Sequence, residues 1–331
     1  MKDYLFDCAR IRAKEVGLVG RDRLEELLSA KTLTETLHRL SEMGVEVVTE
    51  EETQRFLREE TLLKILRTAY ADVTAAVPDD KALRLWLYPY DCNNVKAAIK
   101  CFFRELDPRS MMFDFGTLGI EEIVRMVQNG DFSTLPPFMK SGASEAMSSY
   151  AKSRDPQKID LLMDAACYAD MQAAARESGV AFAEKLVRVR IDMTNILTTV
   201  RVLRMKSGEL GKLLLRDALL VGSEIDTKDL VGWCEDGEET LWGRLYYSTY
   251  GKLAEAVGQT DRTLSAIERC TDDCFMSYVR EARFASYGAE VLIGYLLARE
   301  YEVKNLRILL AGRELGLPTE TIRERMRNGY V

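Results

Sequence analysis

The chain has 331 residues, 47% hydrophobic and 30% charged, with 46 Lys and Arg against 53 Asp and Glu for a net charge of −7. The apolar share suffices for real cores, while the acidic balance argues against a protein that coats nucleic acid or anionic lipid over its whole surface. Uncharged runs such as Val291–Ala298 and Met193–Val200 are eight residues long, against the roughly 20 of a spanning helix. Met1–Tyr4 carries no apolar signal-peptide core. A cytoplasmic protein that meets a membrane only through other proteins is expected.

Helical periodicity dominates. Arg23–Met43, Glu51–Thr74, Lys158–Ser178 and Leu264–Tyr301 place apolar residues at three- and four-residue intervals and predict helices. Thr32 with Glu35 fits a capping box. Leu186–Ile191 alternates like a strand, but the repeat below assigns it to helix. No proline falls between Pro156 and Pro318, which suits a run of long helices.

Three segments resemble one another: Asp91–Lys96 (DCNNVK), Asp192–Leu197 (DMTNIL) and Glu302–Arg307 (EVKNLR). Each has an acid, two residues, an asparagine and an aliphatic residue. The asparagines, Asn94, Asn195 and Asn305, stand 101 and 110 residues apart. A second element recurs upstream of each: Thr32 to Gly44, Thr117 to Gly130 and Ile225 to Gly237, spanning 12, 13 and 12 residues. Each reads as a short helix with a glycine stop. Two elements repeated in order predict three small helical bundles, with boundaries near Asp107–Pro108 and Ser207–Gly208: residues 1–108, 109–208 and 209–331. Acid and asparagine lie three apart on one helix face, and Arg188, Asp192, Asn195 and Thr199 extend that stripe. Such a stripe either hydrogen-bonds neighbouring backbone inside a bundle or lines a central surface that meets a partner.

Catalytic constellations are missing from the sequence. Gly208–Leu213 has the wrong spacing for a phosphate loop, and neither a GxGxxG nor a Gly-x-Ser-x-Gly elbow occurs. His38, the one histidine, reads as a helix-surface residue. Seven cysteines without regular spacing read as reduced, mostly buried thiols. Cys270 and Cys274 share a helix face, the one conceivable metal pair. No cofactor or metal is predicted. Seven acids between Glu224 and Glu239 read as a solvated loop and helix end, or else a docking patch; the basic run Lys185–Lys212 offers an opposite patch. Asp272 and Asp273 could serve a helical enzyme acting on a diphosphate through magnesium, although a second aspartate pair is missing. A generic helical scaffold is the other alternative.

The segments Glu302–Arg313, Gly316–Pro318, Ile322–Arg327 and Tyr330–Val331 look like the end of C subunits of archaeal and bacterial A/V-type ATPases, a family that includes the eukaryotic vacuolar ATPase d subunit. Tyr4 and Ala9–Glu15, with Arg10 and Arg12, are similar to the family's opening helix, and Tyr90–Lys96 supports the middle. The motifs spread over the whole chain. One departure is Leu197, where the other copies carry Lys96 and Arg307. The resemblance implies an all-α fold of three like bundles about a pseudo-threefold axis, forming a funnel. It also implies a non-catalytic connector between the central-stalk subunits and the cytoplasmic face of the proteolipid ring, for proton or sodium transport. Neither nucleic acid nor a direct membrane span belongs to that role. Candidate structural or interface residues are Arg10, Arg12, Asp91, Asn94, Arg188, Asp192, Asn195, Glu302, Asn305 and Arg323.

Overall fold

The computed structural model describes residues 5–50, 56–75, 80–205, 209–234 and 237–331, and among them every regular element is helical, apart from a single bridge between Thr49 and Phe56. The fold is all-α. The chain forms two compact units, one from Met1–Pro78 with Tyr250–Val331 and one from Asp79–Thr249.

The first unit begins with α1 (Leu5–Glu15), α2 (Arg21–Ser29), α3 (Leu33–Glu42) and α4 (Arg58–Thr74). The second holds α5 (Lys81–Arg84), α6 (Tyr88–Phe102), α7 (Ile120–Asn129), α8 (Pro137–Ser153), α9 (Pro156–Ser178), α10 (Ala181–Met205), α11 (Glu209–Ala218), α12 (Thr227–Trp233) and α13 (Glu238–Tyr246). The chain then returns to the first unit with α14 (Gly251–Gly258), α15 (Leu264–Val279), α16 (Ala289–Glu314) and α17 (Thr319–Arg323).

Capping explains where periodicity alone ran helices together. Arg23–Met43 is two helices, because Thr32 turns extended and its hydroxyl accepts the Glu35 N–H at 3.2 Å. The Glu35 carboxylate reaches back to the Lys31 N–H at 2.9 Å, one residue before the box predicts. Leu264–Tyr301 is likewise broken, between Val279 and Ala289. Of Glu51–Thr74, residues 51–55 lie outside the described residues and the helix begins at Arg58. Lys158–Ser178 falls within α9, which Asp155 starts by accepting the Gln157 N–H and Gly179 ends in the left-handed conformation. Leu186–Ile191 lies inside α10: β-branched alternation yields to a helix buried on most faces.

α16 is the spine of the first unit. Leu292, Ile293, Leu296, Leu297, Leu306, Leu309 and Leu310 are fully buried, and it packs on α4 and α1. A helix apolar all round must sit at a centre, and each such side chain contributes about 1.5–3 kcal/mol on burial. In the second unit α8 and α9 form the closest pair, with Gly142 leaving no room for a side chain beside Ala166. α6 crosses α9 with a two-rung charge ladder, Lys96–Asp164 at 2.7 Å and Lys100–Asp160 at 2.6 Å.

Candidate functional site

The acid-x-x-Asn motifs lie on α6, α10 and α16, and all six side chains are buried. Burial obliges them to find partners. Each asparagine finds the same one, the backbone of a single residue beyond its helix. The Asn94 amide accepts the Phe113 N–H and donates to its carbonyl, both at 2.8 Å. Asn195 does the same with Leu220, both at 2.8 Å. Asn305 does so with Arg327, at 2.8 and 2.9 Å. A carboxamide presents one acceptor and two donors, so it can pair with a residue's N–H and C=O together, as a neighbouring strand would.

The acid takes the next loop. Asp91 accepts the N–H of Thr117 at 2.9 Å, that of Leu118 at 3.2 Å and the Thr117 hydroxyl at 2.6 Å. Asp192 accepts the N–H of Glu224 at 2.8 Å and of Ile225 at 3.1 Å. Glu302 accepts the Val19 N–H at 3.0 Å and is gripped by Arg299 at 2.7 and 3.0 Å. In every case the held loop runs into a short helix: α7, α12 or α2. The loop that leads into the first of these short helices is therefore held at Val19, ahead of α2, whereas the sequence reading starts the element upstream of Asn94 at Thr32. Two glycines let the backbone come so close. Gly116 has φ +148° and a Cβ there would collide with the Asp91 carboxylate; Gly222, at φ +96°, would collide with Gln172, which donates to the Val221 carbonyl at 2.6 Å.

Burial pushes the Asp91 carboxyl up to about 6 in spite of its three donors. It also raises Glu302, against the pull of Arg299. Asp91 and Glu302 are thus costly to ionise, and all three acids are kept in place by backbone donors.

The remaining predicted residues lie outside the clamps. Arg12 pairs with Glu15 at 2.8 Å and donates to the carbonyls of Ala282 and Ala285, both at 2.7 Å. Arg10 bonds the Asp72 carbonyl, with Asp7 and the Asp72 carboxylate at 3.6 and 3.8 Å. Arg188 reaches Glu224 at 3.3 Å, and Arg323 pairs with Glu25 at 2.8 Å and with Glu320. Lys96 and Arg307 pair with Asp164 and Glu59 on adjacent helices, so the base that Leu197 replaces serves internal packing in the other two copies.

The opposite charge runs are partly joined to each other. Besides Arg188–Glu224, Arg204 grips Glu238 at 2.6 and 2.8 Å, and Asp226 caps α12. Glu235 and Asp236 lie outside the described residues. His38 is exposed on α3 beside Glu42. Five of the cysteines are buried and Cys234 and Cys274 half-buried.

Sequence reasoning missed Asp170 and gave Asp272 and Asp273 another role. Asp170 on α9 accepts the N–H of Phe138 at 3.1 Å and of Met139 at 2.6 Å, capping α8 from across the hairpin. Asp272 accepts Lys304 at 2.8 Å, Tyr301 at 3.1 Å and Arg327 at 3.0 Å. Asp273 accepts the Asn328 N–H at 2.7 Å. Asp272 is thus engaged with side chains of α16 and the Arg327 guanidinium, and Asp273 with the Asn328 backbone, which does not favour a diphosphate enzyme. A cleft of about 500 Å³ in the first unit is lined by Lys14, Lys64, Asp72, Glu46 and Arg299, among others. Its charges are paired: Lys14 with Asp72 at 2.6 Å, Lys64 with Glu46, and Arg299 with Glu302. Among the described residues no group of three or more His, Cys, Asp or Glu could hold a metal ion, and no helix is long and apolar enough to cross a membrane.

Buried polar stations that grip the chain's own backbone, on helices packed without a catalytic constellation, define a helical scaffold. The ATP synthase (C/AC39) subunit family model matches residues 8–325, and the chain belongs to that family; it is a non-catalytic subunit of the A/V-type ATPase. It is 24% identical to the C subunit of the A-type ATP synthase of Thermococcus onnurineus, over 97% of this chain and 89% of that one. It is 21% identical to the C subunit of the V-type sodium ATPase of Enterococcus hirae, over 97% of each. With the C subunit of the A-type ATP synthase of Methanocaldococcus jannaschii it shares 24% identity, over 97% of this chain and 85% of that one.

Proposed function

We propose that this subunit is the connector of the rotor. It binds the lower end of the central stalk on one side and the cytoplasmic face of the proteolipid ring on the other, and turns with both. The observation that carries the reading is the family match from residue 8 to 325, together with relatives from both ATP synthases and a sodium ATPase. The physical build supports it. A torque-carrying part must be stiff, and closely packed helices are stiff. Three like bundles, at about residues 1–108, 109–208 and 209–331, are the arrangement that the repeated acid-x-x-Asn stations favour, with each acid holding a loop of the next bundle in order, and the third that of the first. The ten candidate residues then act by holding those bundles in shape, with Arg10, Arg12, Arg188 and Arg323 nearest to the surface.

The test is ion transport by vesicles rebuilt with the other subunits, with and without this chain. Leaving it out is expected to abolish transport while the soluble head still hydrolyses ATP. Transport at normal coupling without it would refute the connector role.

A further inference from the structure

The three clamps are alike at the asparagine but not in how the held backbone is connected. In the first two, the residue held by Asn and those held by the acid belong to one short stretch: Phe113 is followed by Thr117 and Leu118, and Leu220 by Glu224 and Ile225. The interval is four to five residues. In the third, Asn305 holds Arg327 while Glu302 holds Val19. Four residues beyond Arg327 stands Val331, and it lies on Gly20: a Cβ added at Gly20 would come within 2.9 Å of the Val331 side chain and 3.3 Å of its carbonyl oxygen. Residue 331 thus stands where Thr117 and Glu224 stand in the other two stretches, but here the acid holds Val19, and Val19–Gly20 takes up the path. Like the stretches before α7 and α12, it leads into a helix, α2.

The segment is held along its length. Asp272 pairs with Arg327, and Asp273 accepts the Asn328 N–H. Arg280 donates to the Gly329 carbonyl at 2.9 Å, and Arg283 to that of Tyr330 at 3.4 Å. The Tyr330 ring is buried, and its hydroxyl lies over Gly294, where a Cβ would approach to 2.9 Å. Glu302 is one methylene longer than the aspartates of the other stations and carries its own counter-charge, Arg299, which suits a loop that arrives from elsewhere in the chain.

We propose that Arg327–Val331 and Val19–Gly20 form a permanent, load-carrying joint that closes the third clamp without a covalent link. That it carries load rests on the connector reading; that it is a joint rests on the contacts alone.

The test joins the two segments by a disulfide, using Gly20→Cys with Val331→Cys. The valine methyl that crowds residue 20 is removed by the same change. A mild disulfide oxidant takes two electrons and two protons from the thiol pair, and wild-type protein treated in parallel controls for the native cysteines. In the isolated protein, peptide mapping should find the 20–331 cross-link in high yield. The oxidised form should melt about 5–10 °C above its reduced form. A folded variant that does not cross-link overturns the joint.

Should the variant misfold, hydrogen exchange on the wild type decides. The Val19 amide should be protected to the same degree as those of Thr117 and Glu224, and rapid exchange at Val19 alone overturns the proposal. In rebuilt vesicles the oxidised variant should transport ions as its reduced form does. Loss of transport on oxidation, regained on reduction, would mean that the segments part during turnover and would sink the permanent joint. If wild-type protein itself restores no transport, it is the connector reading that fails, and the joint is judged on the isolated protein.

Discussion

The second unit holds two clamps built on aspartate, and the first holds one built on glutamate. In the second unit each acid meets the stretch that its own helix leads into, 26 to 33 residues on. In the first, the acid meets a loop 283 residues away in sequence. The asparagines do not differ: all three bond one backbone residue twice, at 2.8–2.9 Å. The comparison separates two tasks. The asparagine spans a fixed local distance to one backbone residue. The acid bridges whatever gap the chain path leaves, and its length and counter-charge follow that gap.

The largest effect expected from this contrast is loss of an asparagine. Asn195→Leu leaves the Leu220 N–H and C=O buried and unpaired, at about 2–5 kcal/mol. Asn305→Leu should cost a similar amount at Arg327. Denaturant unfolding of each variant checks the size, and exchange at the Leu220 or Arg327 amide checks the place. If stability holds but assembly with the ATPase fails, the asparagines face a partner rather than the chain's own backbone.

A smaller and directional effect follows from the buried acids. Asp91 titrates at about 6 when folded, against 3.8 ordinarily, so the folded state binds this proton more tightly than the unfolded chain. Its contribution to stability is therefore greatest at low pH, declines as the pH rises from about 4 to about 6, and is level above. Asp91→Asn keeps an oxygen for the Thr117 and Leu118 N–H groups and cannot ionise. It should remove that decline in the second unit. Asp273, also raised to about 6 by burial, should do the same in the first unit when replaced by Asn. Denaturant midpoints between pH 4 and 7 test both; unchanged slopes would show that these carboxyls do not differ between the folded and unfolded chain.

The smallest effects belong to the surface pairs. Arg204→Ala breaks a two-bond contact with Glu238 and should cost under about 1 kcal/mol, and Arg188→Ala, at half-exposed Glu224, less still. Both should fade in high salt. A larger loss at either, in thermal melts at low and high salt, would mean that the charge runs do more than lace one another together.

How far the sequence carried this depends on range. Helical content followed from the spacing of apolar residues, and the asparagines from a motif that recurs with a second element in the same order. Caps showed through at Thr32 and Gly130, since they act on the nearest few residues. What stayed hidden was long-range pairing. Nothing near Glu302 points to Val19, and the element upstream of Asn94 reads as starting at Thr32, because the capping box there imitates the start of the repeated element. The Asp272–Asp273 pair suggested chemistry because a sequence does not tell which acids face solvent and which face Arg327. Asp170 gave no signal at all, because a cap supplied by another helix leaves no local pattern.

The clamps grip peptide groups, and that has a consequence for descent. The residues held by the three asparagines are a phenylalanine, a leucine and an arginine. A carboxamide reading N–H and C=O is blind to what hangs from the α-carbon. Selection can keep the gripping residue while the gripped one wanders, so like stations can come to carry different surfaces without loosening. A rotor part built so could acquire a distinct face toward each neighbour one substitution at a time, while the frame beneath stayed closed.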